Sequence, residues 1–291
     1  MLLSRRRARF PLLGVVVSAL VLAGCQGSEP APEGGPRYVA LGDSAVAGAG
    51  INRSVEKPCL RSDHNYPSLV ADALDVGDFV DVSCPGATTD DVLYGQTQPD
   101  GEPTPPQIEE VTKDTDVVTI SIGGNDGQYV PDLFVGCYVP PANTSQACRA
   151  AIAKVTPLLP QIKTGVVGVI EEVRKRAPDA QVVLVTYLRI APERGRCDEI
   201  ALDPADQRAA ADAEQALADT MQEAAEEAGA DVLPMRQASE GHDACAGDDE
   251  AWTNQITVAP GDGTFLHPRA IGAEAVAKAL EPVVRARLTT R

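Results

Sequence analysis

Histidine is scarce in this chain, three residues in 291, and aromatic side chains make up only 4%, with a single tryptophan. Few rings mean few flat platforms on which bases or sugars could stack. Positive charge is also in deficit: 25 Lys and Arg stand against 42 Asp and Glu, a formal net charge of −17. Such acidity repels phosphate backbones and anionic lipid surfaces, which excludes nucleic acid as a partner. Motifs for common cofactor chemistry are missing as well. No phosphate-binding P-loop, no H-E-x-x-H and no G-x-G-x-x-G after a strand occurs, so no cofactor is implied. The absence of C-x-x-C spacing removes the commonest zinc signature, and no metal site is expected. A nucleophile elbow G-x-S-x-G also fails, because Val46 stands where its second glycine belongs.

The first 24 residues are set apart from the rest. Arg5, Arg6, Arg7 and Arg9 precede the apolar run PLLGVVVSALVLAG, which is short for a spanning helix and reads as an export signal. The run ends in Leu22-Ala23-Gly24-Cys25, which resembles a bacterial lipobox, with Cys25 as the site of lipidation. The expectation is an exported protein, lipid-anchored on the outer face of the bacterial cytoplasmic membrane or released. Stable anchoring takes more than one acyl chain. Residues 26–36 form a Pro/Gly/Glu linker, and residues 37–291 suit one domain with a sizeable core. That domain holds Cys59, Cys84, Cys137, Cys148, Cys197 and Cys245, an even number that implies disulfides in an exported chain. Fifteen pairings are open to six cysteines, and their spacing does not choose among them.

Strand-like and helix-like segments alternate through the domain. RYVALGDS (37–44), FVDVSC (79–84), DVVTISIGGND (116–126), QVVLVTYL (181–188) and DVLPM (231–235) read as strands. Helical patterns cover 66–74, 147–176 with interruptions at Pro157 and Pro160, 205–229, and 268–288 with Pro268 at its start. Continuous apolar strands separated by helices predict an α/β fold, a three-layer α/β/α with a central, mostly parallel sheet. Ligands in such folds bind beyond the carboxyl ends of the strands. Ser44, Gly86 and Asn125 all fall at those ends.

Those residues also carry a resemblance. Gly42-Asp43-Ser44 after an apolar strand, Gly86 in SCPGATT, Gly123-Gly124-Asn125-Asp126 and the late His267-Pro268 resemble, in order and spacing, the SGNH or GDSL-type hydrolases. The resemblance implies a carboxylic ester hydrolase. Ser44 would be the nucleophile, His267 its base, and the N–H groups of Ser44 and Gly86 with the Asn125 amide the oxyanion hole. Secreted actinobacterial esterases and lipases of this type pair neighbouring cysteines, which implies Cys59–Cys84, Cys137–Cys148 and Cys197–Cys245. An ester substrate and a monomer are expected.

One position departs from the pattern. Many relatives carry aspartate three residues before the histidine, and here that residue is Thr264. The Thr264 backbone carbonyl is expected to hold the His267 ring, with Asp262 as the alternative acid. Other readings stay open: a carbohydrate O-acetyl esterase on the same site, a non-catalytic binding lipoprotein on a hydrolase scaffold, or a metal-dependent hydrolase using the HDACAGDDE loop around His242. That acidic loop reads better as a solvated segment, and His64 as a loop residue.

Overall fold

The computed structural model describes residues 35–52, 54–98, 101–193 and 202–289. The expected export signal, lipidated Cys25 and most of the linker lie outside the described residues. The central sheet contains β1 (Arg37–Gly42), β2 (Asp78–Asp81), β3 (Val117–Ser121), β4 (Gln181–Val185) and β5 (Asp231–Leu233). Their order is β2-β1-β3-β4-β5, and every pairing is parallel. The helices are α1 (Ser44–Ala47), α2 (Tyr66–Leu74), α3 (Thr89–Tyr94), α4 (Tyr129–Leu133), α5 (Ser145–Val155), α6 (Leu159–Arg176), α7 (Pro204–Glu227), α8 (Met235–Ala238) and α9 (Ala270–Leu288).

Strand periodicity divides the core into two layers. Val39, Leu41, Val118, Ile120, Val182 and Leu184 face one side, packed with residues of α6 and α7. The alternate residues Tyr38, Ala40, Val117, Val183 and Val185 face the other, with α2 and α9. Both faces are therefore covered, which is why β1, β3 and β4 carry apolar residues on both faces rather than on one.

The chain leaves β1 for β2 and then crosses back to β3, so strand order reverses at β1. Connections on opposite faces leave a crevice at the carboxyl ends of β1 and β3. Ser44 follows β1 and Asn125 follows β3.

Two boundaries differ from the sequence reading. Pro157 and Pro160 do not merely interrupt one helix: a 3-10 turn (Thr156–Leu158) separates α5 from α6, and each proline occupies a first turn, where its missing N–H is no loss. The last helix begins at Ala270, not Pro268, because the Asp262 carboxylate accepts the Ala270 N–H at 2.8 Å and caps the helix there.

Among the described residues two disulfides are seen, Cys59–Cys84 and Cys137–Cys148, with separations of 25 and 11. Loop-closure entropy at these lengths is worth about 3 kcal/mol per bridge. The first tethers the segment that carries Gly86, and the second ties Cys137, just beyond α4, to α5. Of the expected Cys197–Cys245 pair, Cys197 lies outside the described residues.

Candidate active site

At Gly42 a Cβ would come within 2.3 Å of Val46 and 2.6 Å of the Ser121 carbonyl, so only glycine allows the chain to turn here. The buried amide of Gln107 clamps the same residue: it accepts the Gly42 N–H at 2.8 Å and donates to the Gly42 carbonyl at 2.9 Å. Asp43 then caps α1, its Oδ1 accepting the Ala45 N–H at 2.9 Å. Ser44 is thereby fixed at the first helical position, in the β1–β3 crevice.

The Ser44 Oγ lies 2.8 Å from His267 Nε2, across 223 residues of chain. The other ring nitrogen, Nδ1, is 2.8 Å from the Phe265 carbonyl oxygen. A carbonyl can only accept, so Nδ1 carries the proton and Nε2 presents a lone pair to the Ser44 hydroxyl. Phe134 meets the imidazole edge-on, with ring centroids 5.8 Å apart. Burial pushes the His267 pKa below its ordinary value, against a smaller upward pull from the Phe265 carbonyl. The ring is thus neutral near neutral pH and able to take a proton.

The expected Thr264 carbonyl is not the one that holds the ring. It accepts the backbone N–H of His267 at 3.2 Å and closes a turn over Phe265 and Leu266. Leu266, third in that turn, has φ +56°, a left-handed conformation usually left to glycine, and its side chain is buried in the core. With one carbonyl consumed in the turn, the next, that of Phe265, faces the ring. Asp262 is not the holder either. Its carboxylate binds the Arg269 Nε at 2.7 Å and caps α9.

Ser44, Gly86, Asn125 and His267 line one cavity of about 420 Å³. The N–H groups of Ser44 and Gly86 have no hydrogen-bond acceptor among the described residues. Gly86 has φ +80°, and an added Cβ would meet only Gln96, at 3.4 Å. Backbone conformation, rather than room for a ligand, therefore calls for glycine at this position. The Asn125 amide nitrogen donates to the Ala87 carbonyl at 3.0 Å and makes a long 3.4 Å contact with Asp43 Oδ2.

Asp43 has a second role that its place in the sequence did not disclose. Its Oδ2 accepts the Tyr187 hydroxyl at 2.5 Å, and the Tyr187 oxygen accepts the Gly124 N–H at 3.0 Å. One buried carboxylate thus joins the Ser44 turn to the Gly124-Asn125 segment. Burial raises the Asp43 pKa to about 7, against the downward pull of its Tyr187 and Ala45 hydrogen bonds. Tyr187 follows β4, and a polar tip at the end of an apolar strand was the only sequence signal for it.

The remaining histidines stand apart. His64 contacts Asp63 and Asn52 in a loop. His242 stacks on Trp252 with centroids 4.1 Å apart, and its Nδ1 bonds the Glu250 carbonyl. Among the described residues no three His, Cys, Asp or Glu side chains converge as metal ligands.

Comparison with known proteins gives the family. Residues 40–275 match the GDSL-like Lipase/Acylhydrolase family. The chain is 33% identical over 276 residues to a lipase of Streptomyces rimosus, covering 94% of this chain and 95% of that one. It is 30% identical over 275 residues to Lipase 1 of Streptomyces coelicolor, at 91% and 94% coverage. Among solved structures, an extracellular lipase from Streptomyces rimosus superposes with TM-score 0.71 at 29% identity, covering 87% of this chain and 99% of that one. A phospholipase A1 from Streptomyces albidoflavus gives the same TM-score and coverage at 26% identity. The chain belongs to the GDSL-like lipase/acylhydrolase family.

Proposed function

We propose that the protein is an exported, lipid-anchored esterase or lipase that cleaves carboxylic acyl esters through an acyl-enzyme on Ser44. The observation that carries this reading is the 2.8 Å contact between Ser44 Oγ and the unprotonated Nε2 of His267, with Nδ1 held by a backbone carbonyl. Ser44 Oγ attacks the ester carbonyl carbon while its proton passes to His267 Nε2. The Ser44 and Gly86 N–H groups and the Asn125 amide receive the oxyanion, and Asn125 gives up its long contact with Asp43 to do so. Collapse of the tetrahedral intermediate expels the alcohol, which takes the proton from His267. Water then repeats the sequence and frees the acid.

This is a Ser–His dyad in which a carbonyl fixes the tautomer and no carboxylate stabilises the imidazolium. A carbohydrate O-acetyl ester is the weaker substrate class. The lone Trp252, the best stacking platform for a sugar, is engaged on His242 and does not line the cavity. Against the non-catalytic reading stands the orientation of the His267 lone pair toward Ser44, which binding alone does not require. Attachment to the membrane is assigned to acyl chains on Cys25, on the strength of the Leu22-Ala23-Gly24-Cys25 sequence.

The test is a panel of esters of varied acyl length, run on wild type and Ser44→Ala, with and without chelator. Wild type hydrolyses the panel whether or not chelator is present, and Ser44→Ala does not. Equal turnover by Ser44→Ala, or loss of wild-type activity on chelation, overturns the proposal.

A further inference from the structure

The cavity that holds Ser44 continues well past the reacting groups. Among its lining residues are Leu188 and Ile190 beyond β4, Leu217 and Ala218 of α7, and the charged pair Glu214 and Arg236. Strand order gives these a direction. Ser44 follows β1, Asn125 follows β3, Leu188 and Ile190 follow β4, and Arg236 follows β5, so the cavity runs along the carboxyl edge of the sheet. Leucine and isoleucine flank its middle, and beyond Asp43 and His267 at the reacting end, charge appears again only toward β5.

The charged pair is built into the wall. Glu214 and Arg236 are 9% and 3% exposed, and Tyr138 is wholly buried. Glu214 Oε1 accepts the Tyr138 hydroxyl at 2.5 Å; Oε2 accepts Arg236 Nη1 at 2.6 Å and the Ile190 N–H at 3.1 Å. Arg236 also donates to the Ala211 carbonyl at 2.7 Å and to Gln215 at 3.1 Å. A methylene reaching this cluster would have to open a buried ion pair, which costs far more than burying that methylene returns.

Resting on the ester-hydrolase reading, we propose that the cavity takes the acyl chain and that the Tyr138–Glu214–Arg236 cluster is its closed end, so these residues set the acyl length the enzyme accepts. From β1 to β5 is three strand spacings, or about 14 Å at roughly 4.8 Å each. An extended chain covers roughly 1.2 Å per bond, which places the stop at about ten to twelve carbons.

The experiment is a series of p-nitrophenyl esters from acetate to palmitate, with fluorophosphonate labelling of Ser44 on each variant. In wild type, kcat/KM rises by up to about fourfold per methylene and then breaks near dodecanoate. Ala218→Phe, which adds a ring to the cavity wall and takes up its volume, moves the break at least two carbons shorter and lowers the decanoate-to-butyrate ratio. The paired change Glu214→Leu/Arg236→Met leaves no lone buried charge and moves the break to longer acids. A wild-type rise uninterrupted to palmitate overturns the proposal. So does an unmoved break in an Ala218→Phe protein that still labels at Ser44. If no ester is turned over and Ser44 does not label, the ester reading itself falls, and the proposal with it.

Discussion

Tyr187→Phe removes one oxygen from the site and leaves the ring in place. That oxygen donates to Asp43 Oδ2 at 2.5 Å and accepts the Gly124 N–H at 3.0 Å. Without it, Oδ2 keeps only the 3.4 Å contact with Asn125, and Gly124 N–H loses its acceptor. A hydrogen bond to a charged group contributes about 1.5–3 kcal/mol, and a buried N–H left without a partner costs about 1–3 kcal/mol. Because the two effects share one network, their sum should come to about 3–5 kcal/mol where Asp43 is ionised.

The loss must depend on pH. The Asp43 pKa in the fold is about 7, against an ordinary value of 3.8. A raised folded pKa means that this group's contribution to stability is full below pH ~4 and is lost as pH rises through about 7, by up to about 4 kcal/mol. The Tyr187 hydroxyl pulls that pKa down. Its removal therefore moves the pKa above 7 and deepens the loss on the alkaline side. Urea unfolding of both proteins at pH 5 and pH 8.5 should show a destabilisation larger by about 2 kcal/mol at the higher pH. Because the Gly124-Asn125 segment loses its tie to Asp43, kcat should fall about 10–100-fold with KM little changed. Equal destabilisation at both pH values with unaltered kcat would refute the positioning role assigned to Tyr187.

Asp262→Ala should cost about 1–3 kcal/mol of stability, since Arg269 and the α9 N-terminus lose their carboxylate. Its kcat should stay within about tenfold of wild type at a temperature where it is folded; a loss near 10⁴-fold, the scale of removing a triad acid, would make Asp262 the missing acid. Thr264→Ala keeps every backbone atom of the turn and should leave kcat near wild type, with abolished turnover in a folded protein as the contrary result. The kcat/KM profile should reach half its plateau below pH 6.5, because burial lowers the His267 pKa and the neutral ring is the active form. Half-plateau at pH 7 or above would transfer that control to Asp43.

How far the sequence could be read depends on the range of each interaction. β1, β3 and β4 announced themselves as predominantly apolar runs, because strands buried on both faces have no solvent-facing side. Ser44 and Asn125 were found because each follows a strand, and their roles, with that of His267, came from the resemblance of the four blocks to GDSL-type hydrolases. Phe265 was not, since which carbonyl faces the ring follows from the turn at Leu266 and its positive φ. Tyr187 showed only as a polar tip on an apolar strand, and its role was hidden because its partner, Asp43, lies 144 residues away. Glu214 looked like one of many acids on a polar helix, and only packing of α7 against Tyr138 and Arg236 buries it. α4 was missed because its five residues are too few for a helical period to show.

The account rests on Ser44 being a nucleophile activated by His267. Intact-protein mass spectrometry after exposure to a fluorophosphonate measures this directly. A single adduct that maps to Ser44, is absent from Ser44→Ala, and forms at least 10²-fold more slowly in folded His267→Ala is the predicted result. Folded wild-type protein that takes no adduct, or labels equally fast without His267, would contradict it.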